Sequence, residues 1–224
     1  MSERADGALR AVLWDMDGTL IDSMEYHYLA WVETMAEEGR PLTREQFLAS
    51  FGQRNDVVLR GFFGPDLPDR EVERIADAKE ARYRSLVRGR GIELLPGVRR
   101  LLDHLGRDGW RQAIASSAPR ANVTTVLEVL DIGDRFQATI AGEDVHRGKP
   151  DPEVFLLAAA KLGAAPRRCV VVEDAPHGTE AARRAGMKSI GVCSSHGSLE
   201  ADCVVASLAD LPEDQFARLL SEGQ

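Results

Sequence analysis

Short apolar runs and amphipathic stretches alternate over most of the chain. Residues 11–14 form a wholly apolar run that stops abruptly at an acidic loop, which is typical of a buried β-strand. Further strands are predicted at 112–115, 138–141, 169–172, 189–192 and 203–205, and helices at 98–107, 121–130, 152–162 and 179–185. Strands that alternate with helices predict an α/β fold, a Rossmann-like, doubly wound parallel sheet with helices on both faces.

Residues 21–96 have a different pattern, with helical periodicity and no strand-like segment. One helix is predicted from about Ser23 to Gly39, a second stretch from Arg44 to the prolines that follow it, and a third, rich in charge, over 70–87. We therefore expect two domains. Residues 1–20 and 97–224 are predicted to form the α/β core, and 21–96 an inserted helical cap.

Composition and charge narrow the range of possible functions. Hydrophobic residues make up 44% and charged residues 29% of the 224, as in a globular protein. The net charge of −8 argues against nucleic-acid binding. The three cysteines show no C-x-x-C pair and indicate free thiols in a reducing compartment. With no apolar run long enough for a signal peptide or a spanning helix, we expect a cytoplasmic protein without a membrane partner.

Polar residues follow several predicted strands, at the sheet edge where doubly wound folds bind ligands. They are Asp15 and Asp17 after the first strand, Ser116 and Ser117 after the second, and Glu173 and Asp174 after the strand at 169–172, with Lys149 in the loop before that strand. Two aspartates two positions apart in an extended segment point the same way. Clustered carboxylates need a cation, and oxygen ligands suit Mg²⁺ better than zinc.

This set of residues predicts phosphoryl transfer. One aspartate could attack phosphorus and form an aspartyl-phosphate, and the other could exchange protons with the leaving group and water. Lys149 and Ser116 would hold the transferring phosphoryl group. Two alternatives remain open at this stage: Asp15 to Gly18 could be merely a turn, and the acidic pocket could be a non-catalytic phospho-accepting receiver. A receiver would lack the insert and an acid/base placed like Asp17.

Four segments in order resemble the haloacid dehalogenase superfamily of phosphotransferases. They are Asp15-Met-Asp-Gly-Thr-Leu20, Ser116 at a strand end, Lys149-Pro150, and Val172-Glu-Asp174. The resemblance implies that Asp15 is the nucleophile and Asp17 the general acid/base. It also implies a Mg²⁺ site at Asp15, Asp17 through its carbonyl, and the acidic pair Glu173 and Asp174.

The insert resembles the four-helix cap of the β-phosphoglucomutase-like subgroup. This likeness implies substrate contacts from His27, Arg54 and Lys79. From periodicity alone, His27 could equally be a core histidine and Arg54 a surface residue. Lys79 interrupts an apolar helical stripe, and its ammonium could either extend to water or face a cleft.

The loop after Ser116 departs from the mutase pattern. Mutases continue with a Ser-Lys pair that grips a second phosphate, but Ala118 and Pro119 have no side-chain donor, and only Ser117 and Arg120 could serve as substrate-binding residues. We therefore expect a Mg²⁺-dependent phosphatase of a small phosphorylated metabolite, a sugar phosphate above all, that works as a monomer. The alternative is an isomerase like β-phosphoglucomutase with the same phosphoenzyme chemistry.

Overall fold

The computed structural model describes residues 9–50, 53–194 and 199–221. The chain divides into two compact units, Met1–Asp22 with Glu93–Gln224, and Ser23–Ile92. The predicted boundaries of the insert, 21 and 96, lie two and four residues outside these. Residues 1–8, 195–198 and 222–224 of the predicted core, and 51–52 of the predicted cap, lie outside the described residues.

The boundary differs because both linker segments pair within the larger unit. Ile21 forms an antiparallel bridge with Leu94. The backbone N–H of Leu95 donates to the carbonyl of Leu20 at 2.8 Å. The hydrophobic pattern carries no trace of such a two-residue pairing, because it involves backbone groups alone.

In the described residues, six parallel strands form one sheet. They are β1 (Ala11–Trp14), β2 (Arg111–Ala115), β3 (Ala138–Ile140), β4 (Cys169–Glu173), β5 (Lys188–Val192) and β6 (Cys203–Val205). Their order is β3-β2-β1-β4-β5-β6. Strand order reverses between β1 and β4, so the carboxyl ends of these two neighbours flank the crevice where doubly wound sheets bind ligands. The α/β prediction is confirmed.

Helices cover both faces of this sheet because alternate residues of each strand point to opposite sides. The α-helices of this unit are numbered in chain order after those of the insert, and they are α5 (Val98–Arg107), α6 (Arg120–Leu130), α7 (Glu153–Leu162), α8 (Pro176–Arg184) and α9 (Gln215–Ser221). Leu13 packs in a buried cluster with residues of α7 and α8. Trp14 points the other way, and its ring lies 6.2 Å from that of Phe216 in α9.

The smaller unit is helical throughout its described residues. It contains α1 (Met24–Glu37), α2 (Arg44–Ser50), α3 (Asn55–Phe63) and α4 (Asp69–Arg90). The single stretch predicted from Arg44 is in fact two helices, because Arg54 adopts an extended conformation before α3. Thr43 and Gln46 cap α2 reciprocally, each side chain accepting a hydrogen bond from the other's backbone N–H.

The helices of this unit share one apolar core. Its buried members are Trp31, Met35, Leu42, Phe47, Val58, Leu59, Val72 and Ile75.

None of the helices in the described part of the chain has both the length and the hydropathy that a bilayer-spanning helix requires.

Candidate active site

The acidic residues after β1 and β4 lie together because these strands are neighbours in register. Trp14 pairs with Val172, and the N–H of Asp15 donates to the carbonyl of Val172 at 3.0 Å. One carboxylate oxygen from each of Asp15, Glu173 and Asp174 lies within 4.8 Å of the others, and all three residues are buried. Three carboxylates so close repel one another unless positive charge is placed among them.

Lys149 supplies part of that charge. Its ammonium donates to Asp15 Oδ1 and to Glu173 Oε1, both at 2.6 Å, and its side chain is 2% exposed. It also lies 5.0 Å from the ring centre of Phe155. Lys149 therefore holds the carboxylates of β1 and β4 at one point.

Glu173 is fixed on both oxygens. While Oε1 accepts from Lys149, Oε2 accepts from the backbone N–H of Ala175 at 2.9 Å. Helix α8 leaves room for this carboxylate only because residue 178 is glycine. A Cβ at Gly178 would lie 1.9 Å from Glu173 Cδ.

Burial and neighbouring charges shift the pKa values of Asp15 and Lys149. Burial raises the pKa of Asp15 well above its usual value; Lys149 opposes this rise, and Glu173 and Asp174 add to it. For Lys149, burial lowers the pKa, but Asp15 and Glu173 outweigh burial and raise it. Lys149 is thus a permanent cation beside a carboxylate that lacks water to solvate it.

The donor set fits a hard divalent cation. All three clustered side chains offer carboxylate oxygens, which Mg²⁺ prefers, and neither histidine nor cysteine joins this group in the described residues. Both Glu173 oxygens already accept hydrogen bonds, and Asp15 Oδ1 accepts one from Lys149.

The other predicted core residues are placed as follows. Asp17 is half-buried in the turn after β1, where its backbone forms a bridge with Ile21, and its carboxylate is not part of the three-residue cluster. Ser116 is 2% exposed, and its hydroxyl accepts from the N–H of Ala118 at 3.0 Å. Ser117 is exposed.

Arg120 begins α6 and lies beside two acidic residues. The guanidinium of Arg120 forms an ion pair with Asp144. Its backbone N–H donates to both carboxylate oxygens of Glu143, at 3.1 and 2.9 Å. Its side chain is 46% exposed. The ion pair to Asp144 orients Arg120 within its own unit.

In the helical unit, Lys79 is buried at 3% exposure, so of the two alternatives left open for its ammonium, extension to water is excluded. The ammonium lies 2.8 Å from Glu80 Oε1 and 2.9 Å from His27 Nδ1. The ring centres of Trp31 and Tyr83 are 5.4 and 5.9 Å away.

Glu80 is the counter-ion of this group. Asn55 Nδ2 donates to the same Oε1 at 2.8 Å. Burial raises the pKa of Glu80, but the charge of Lys79 and the hydrogen bonds from Asn55 and Lys79 outweigh it and lower the pKa to about 2. A negative charge is therefore held in the helical unit beside a buried positive one.

His27 and Arg54 differ in their surroundings. The ring of His27 stacks on that of Tyr83, with centres 4.2 Å apart and an angle of 8°. Because an ammonium can only donate, the contact with Lys79 assigns the acceptor role to His27 Nδ1. Arg54 is 77% exposed and pairs with Asp56 at 3.0 Å, the arrangement of an ordinary surface arginine.

Sequence reasoning missed Gly178, Glu80 and Asn55. Gly178 comes four residues after Asp174. A glycine within a helix was the signal in the sequence that could have indicated a close contact there. Glu80 is adjacent to Lys79, and adjacent helix positions do not normally face each other. Nothing in periodicity connects Asn55 with Glu80, which is 25 residues away.

Comparison with known proteins assigns the chain to a family. The family model of haloacid dehalogenase-like hydrolases matches residues 12–192. The chain belongs to that family, and it is an enzyme of the β-phosphoglucomutase-like subgroup.

Some of the similar proteins are named as phosphomutases and others as phosphatases. β-Phosphoglucomutase of Bacillus subtilis is 34% identical over 215 residues, covering 91% of this chain and 92% of that protein. Hexitol phosphatase B of Escherichia coli is 34% identical over 212 residues, covering 90% and 93%. The crystal structure of β-phosphoglucomutase from Clostridium difficile superposes with a TM-score of 0.83 at 27% identity, covering 96% and 98%. The relatives therefore include both phosphatases and mutases of phosphorylated sugars.

Proposed function

We propose that this chain is a Mg²⁺-dependent phosphatase of a small phosphorylated metabolite, a sugar phosphate, that works through a phosphoenzyme at Asp15. The observation that carries the proposal is the contact of Lys149 with both Asp15 and Glu173 at 2.6 Å. This contact keeps a poorly solvated carboxylate beside a cation at the crevice end of β1. A carboxylate in this setting is a nucleophile directed at an anionic group.

In the first half-reaction, an Asp15 oxygen attacks phosphorus and the bond from phosphorus to the ester oxygen breaks. The sugar oxygen leaves with the electron pair of that bond, and Asp17 donates the proton that makes it a hydroxyl. Lys149 and the Ser116 hydroxyl bind phosphoryl oxygens as charge moves across the group. The products are the free sugar and an Asp15 acyl phosphate.

In the second half-reaction, water attacks the same phosphorus. Asp17, now ionised, accepts the water proton, and the bond from phosphorus to Asp15 breaks. Inorganic phosphate leaves, Asp15 regains its carboxylate and Asp17 its proton. The pair is thereby ready for another substrate molecule.

Asp15 and Asp174 would hold Mg²⁺ through carboxylate oxygens, with the backbone carbonyl of Asp17 as a further ligand. When bound, the ion supplies positive charge that offsets the clustered carboxylates and the incoming phosphate. Lys149 remains the protein's own cation at the site.

The substrate class is supported by the relatives and by the helical unit. A hexitol phosphatase and a β-phosphoglucomutase both act on phosphorylated six-carbon polyols or sugars. Lys79, which is buried, and His27, which is half-buried, form a polar pair that suits the hydroxyl-bearing part of such a molecule. We propose that Lys79 and His27, and to a lesser degree Arg54, bind the part of the substrate that does not react.

A panel of phosphomonoesters tests the proposal. The purified chain is incubated with hexose, hexitol, pentose and glycolate phosphates in Mg²⁺, and released phosphate is measured. We expect turnover of at least one sugar phosphate by the wild type and none by Asp15→Asn. Phosphate release that persists in Asp15→Asn would remove the phosphoenzyme mechanism.

A mutase is the second candidate, favoured by the Bacillus subtilis relative. Against it, Ala118 and Pro119 have no side-chain donor for a second phosphate, and Arg120 is paired with Asp144. Supplying β-glucose 1-phosphate with a trace of the glucose 1,6-bisphosphate separates the two. Glucose 6-phosphate formed without inorganic phosphate indicates the mutase, and stoichiometric phosphate indicates the phosphatase.

A further inference from the structure

A buried carboxylate in the helical unit has no place in the reaction described above. Glu80 is 7% exposed, and its carboxylate accepts hydrogen bonds from two side chains. Its Oε1 accepts from both Lys79 Nζ and Asn55 Nδ2, each at 2.8 Å. The contacts join α4 to α3, and through Lys79 and His27 they also reach α1.

The contact between Lys79 and Glu80 does not follow from helix geometry. Adjacent residues diverge by about 100° around a helix axis. They do not face each other, so an exposed pair at these positions would separate. Asn55 holds the Glu80 carboxylate from the neighbouring helix, while the ring centres of Trp31 and Tyr83 lie 5.4 and 5.9 Å from the Lys79 ammonium.

Stability alone does not account for this arrangement. Desolvating two charges is costly, and well-packed apolar residues of similar volume are often as stable or more so. The flanking buried positions of α4, Val72, Ile75, Tyr83 and Val87, show that the helix otherwise buries no charge along this stripe. A charged pair in such a place is best explained by a use for the lysine.

We infer that Glu80 and Asn55 are positioning residues that fix the Lys79 ammonium, charged and in one orientation, as the sugar-recognition group of the helical unit. The inference rests on the proposed function, since it names a determinant of affinity for the sugar. The inference gives neither residue a contact with the reacting phosphate. Their effect is confined to how well Lys79 is held.

The consequence is a specific kinetic signature. A group that binds the unreactive part of the substrate equally in the ground and transition states changes KM and leaves kcat nearly constant. Loss of Glu80 should therefore raise KM for a sugar phosphate. It should raise KM much less for phenyl phosphate, which has no hydroxyl groups for Lys79 to bind.

The test compares Glu80→Gln with Glu73→Gln, an exposed glutamate on the same helix. For the sugar phosphate turned over best by the wild type, Glu80→Gln is expected to raise KM about tenfold, with kcat within about threefold. The rise for phenyl phosphate should be at least fivefold smaller. Glu73→Gln should match the wild type on both substrates.

A second readout does not depend on activity. A buried, hydrogen-bonded ammonium exchanges its protons slowly, so the Lys79 Nζ signal should be visible by ¹H–¹⁵N NMR in the wild type and in Glu73→Gln. It should be lost or shifted in Glu80→Gln. If Glu80→Gln does not fold, Asn55→Ala, which keeps the ion pair, should raise KM for the sugar phosphate by twofold to fivefold.

Two outcomes overturn the inference. One is a folded Glu80→Gln whose KM for the sugar phosphate stays within twofold of the wild type. The other is an equal rise in KM for both substrates, which indicates general damage. A wild type that hydrolyses no phosphomonoester contradicts the proposed function instead, and the NMR comparison still reports whether Glu80 orders Lys79.

Discussion

Gly178 lies so close to the Glu173 carboxylate that a side-chain carbon at position 178 would overlap it. The Cβ of any other residue at position 178 would lie 1.9 Å from the Glu173 carboxyl carbon. The glycine of α8 is therefore part of what places Glu173 against Lys149.

Replacing Gly178 by alanine should reverse the usual effect of that substitution in a helix. An open helical glycine gains about 0.5–1 kcal/mol on change to alanine. At Gly178 the new methyl group must displace Glu173 and break its contact with Lys149, so we expect lower stability and at least about a tenfold loss of phosphatase activity. Urea unfolding and phosphate release measure both effects.

Gly61→Ala is the matched control. Gly61 lies inside α3, and a Cβ there would meet nothing within 4 Å. This variant should be as stable as the wild type or slightly more so. A Gly178→Ala enzyme that behaves like Gly61→Ala would show that Glu173 has freedom to move.

Lys149→Met should remove both activity and stability. The variant leaves Asp15 and Glu173 buried without their shared cation, and breaking a buried pair costs about 3–5 kcal/mol. Loss of the charge that faces the phosphoryl group should lower kcat at least about a hundredfold. Lys161→Met, an exposed lysine of α7, is the control and should behave as the wild type.

Removal of divalent cations should abolish phosphate release, and Mg²⁺ should restore it. Asp174→Asn is expected to need at least about tenfold more Mg²⁺ for half-maximal activity, because it replaces one of three clustered carboxylates. Asp210→Asn, at an exposed position of the same unit, should keep the wild-type requirement. Full activity in excess chelator would contradict the metal assignment.

Glu80 should make the protein sensitive to acid. Its pKa is lowered from 4.5 to about 2 in the folded chain. Since the folded state favours the ionised form, this stabilisation is complete above about pH 4.5 and is lost as the pH falls towards 2, and it amounts to on the order of 3 kcal/mol. The free energy of unfolding of the wild type should therefore fall more steeply over this range than that of Glu80→Gln, and equal slopes would argue against the shift.

The thiol of Cys169 should be inert in the folded protein. Burial within β4 raises the pKa of Cys169 to about 12, so almost no thiolate forms at pH 8. Iodoacetamide followed by peptide mass spectrometry should label Cys169 only when urea is added. Rapid labelling of Cys169 in the native chain would show that β4 opens readily.

The sheet and the core site were predictable from the sequence because they depend on local patterns. Apolar runs such as 11–14 and 169–172 mark buried strands, and the carboxyl ends of parallel strands meet at one edge, so Asp15 and Glu173 had to lie close together. The helix α9 was missed, and one stretch after Arg44 was read as continuous. Arg54 adopts an extended backbone before α3, and the one local sequence signal for a break there is Gly52, two residues earlier.

The surroundings of Lys79 could not be predicted in the same way. Whether an ammonium on an apolar stripe reaches water or stays inside depends on a counter-ion from its own turn and on an amide from another helix. Such contacts are set by tertiary packing and leave no periodic pattern in the sequence. The roles of Asp17, Ser116, Ser117, Arg120 and the residues of the helical unit remain predictions.

The central place of β1 in the sheet bears on how this protein can be made. β1 is entirely apolar and is flanked by β2 and β4, so a chain that ends before residue 169 would expose one side of it as an unpaired edge. The same fragment would lack the partners of Asp15 from β4. We therefore expect a truncated or partly synthesised product to be inactive and to aggregate through this exposed apolar edge. Expression of the chain as separate halves should yield soluble enzyme only when both are present together.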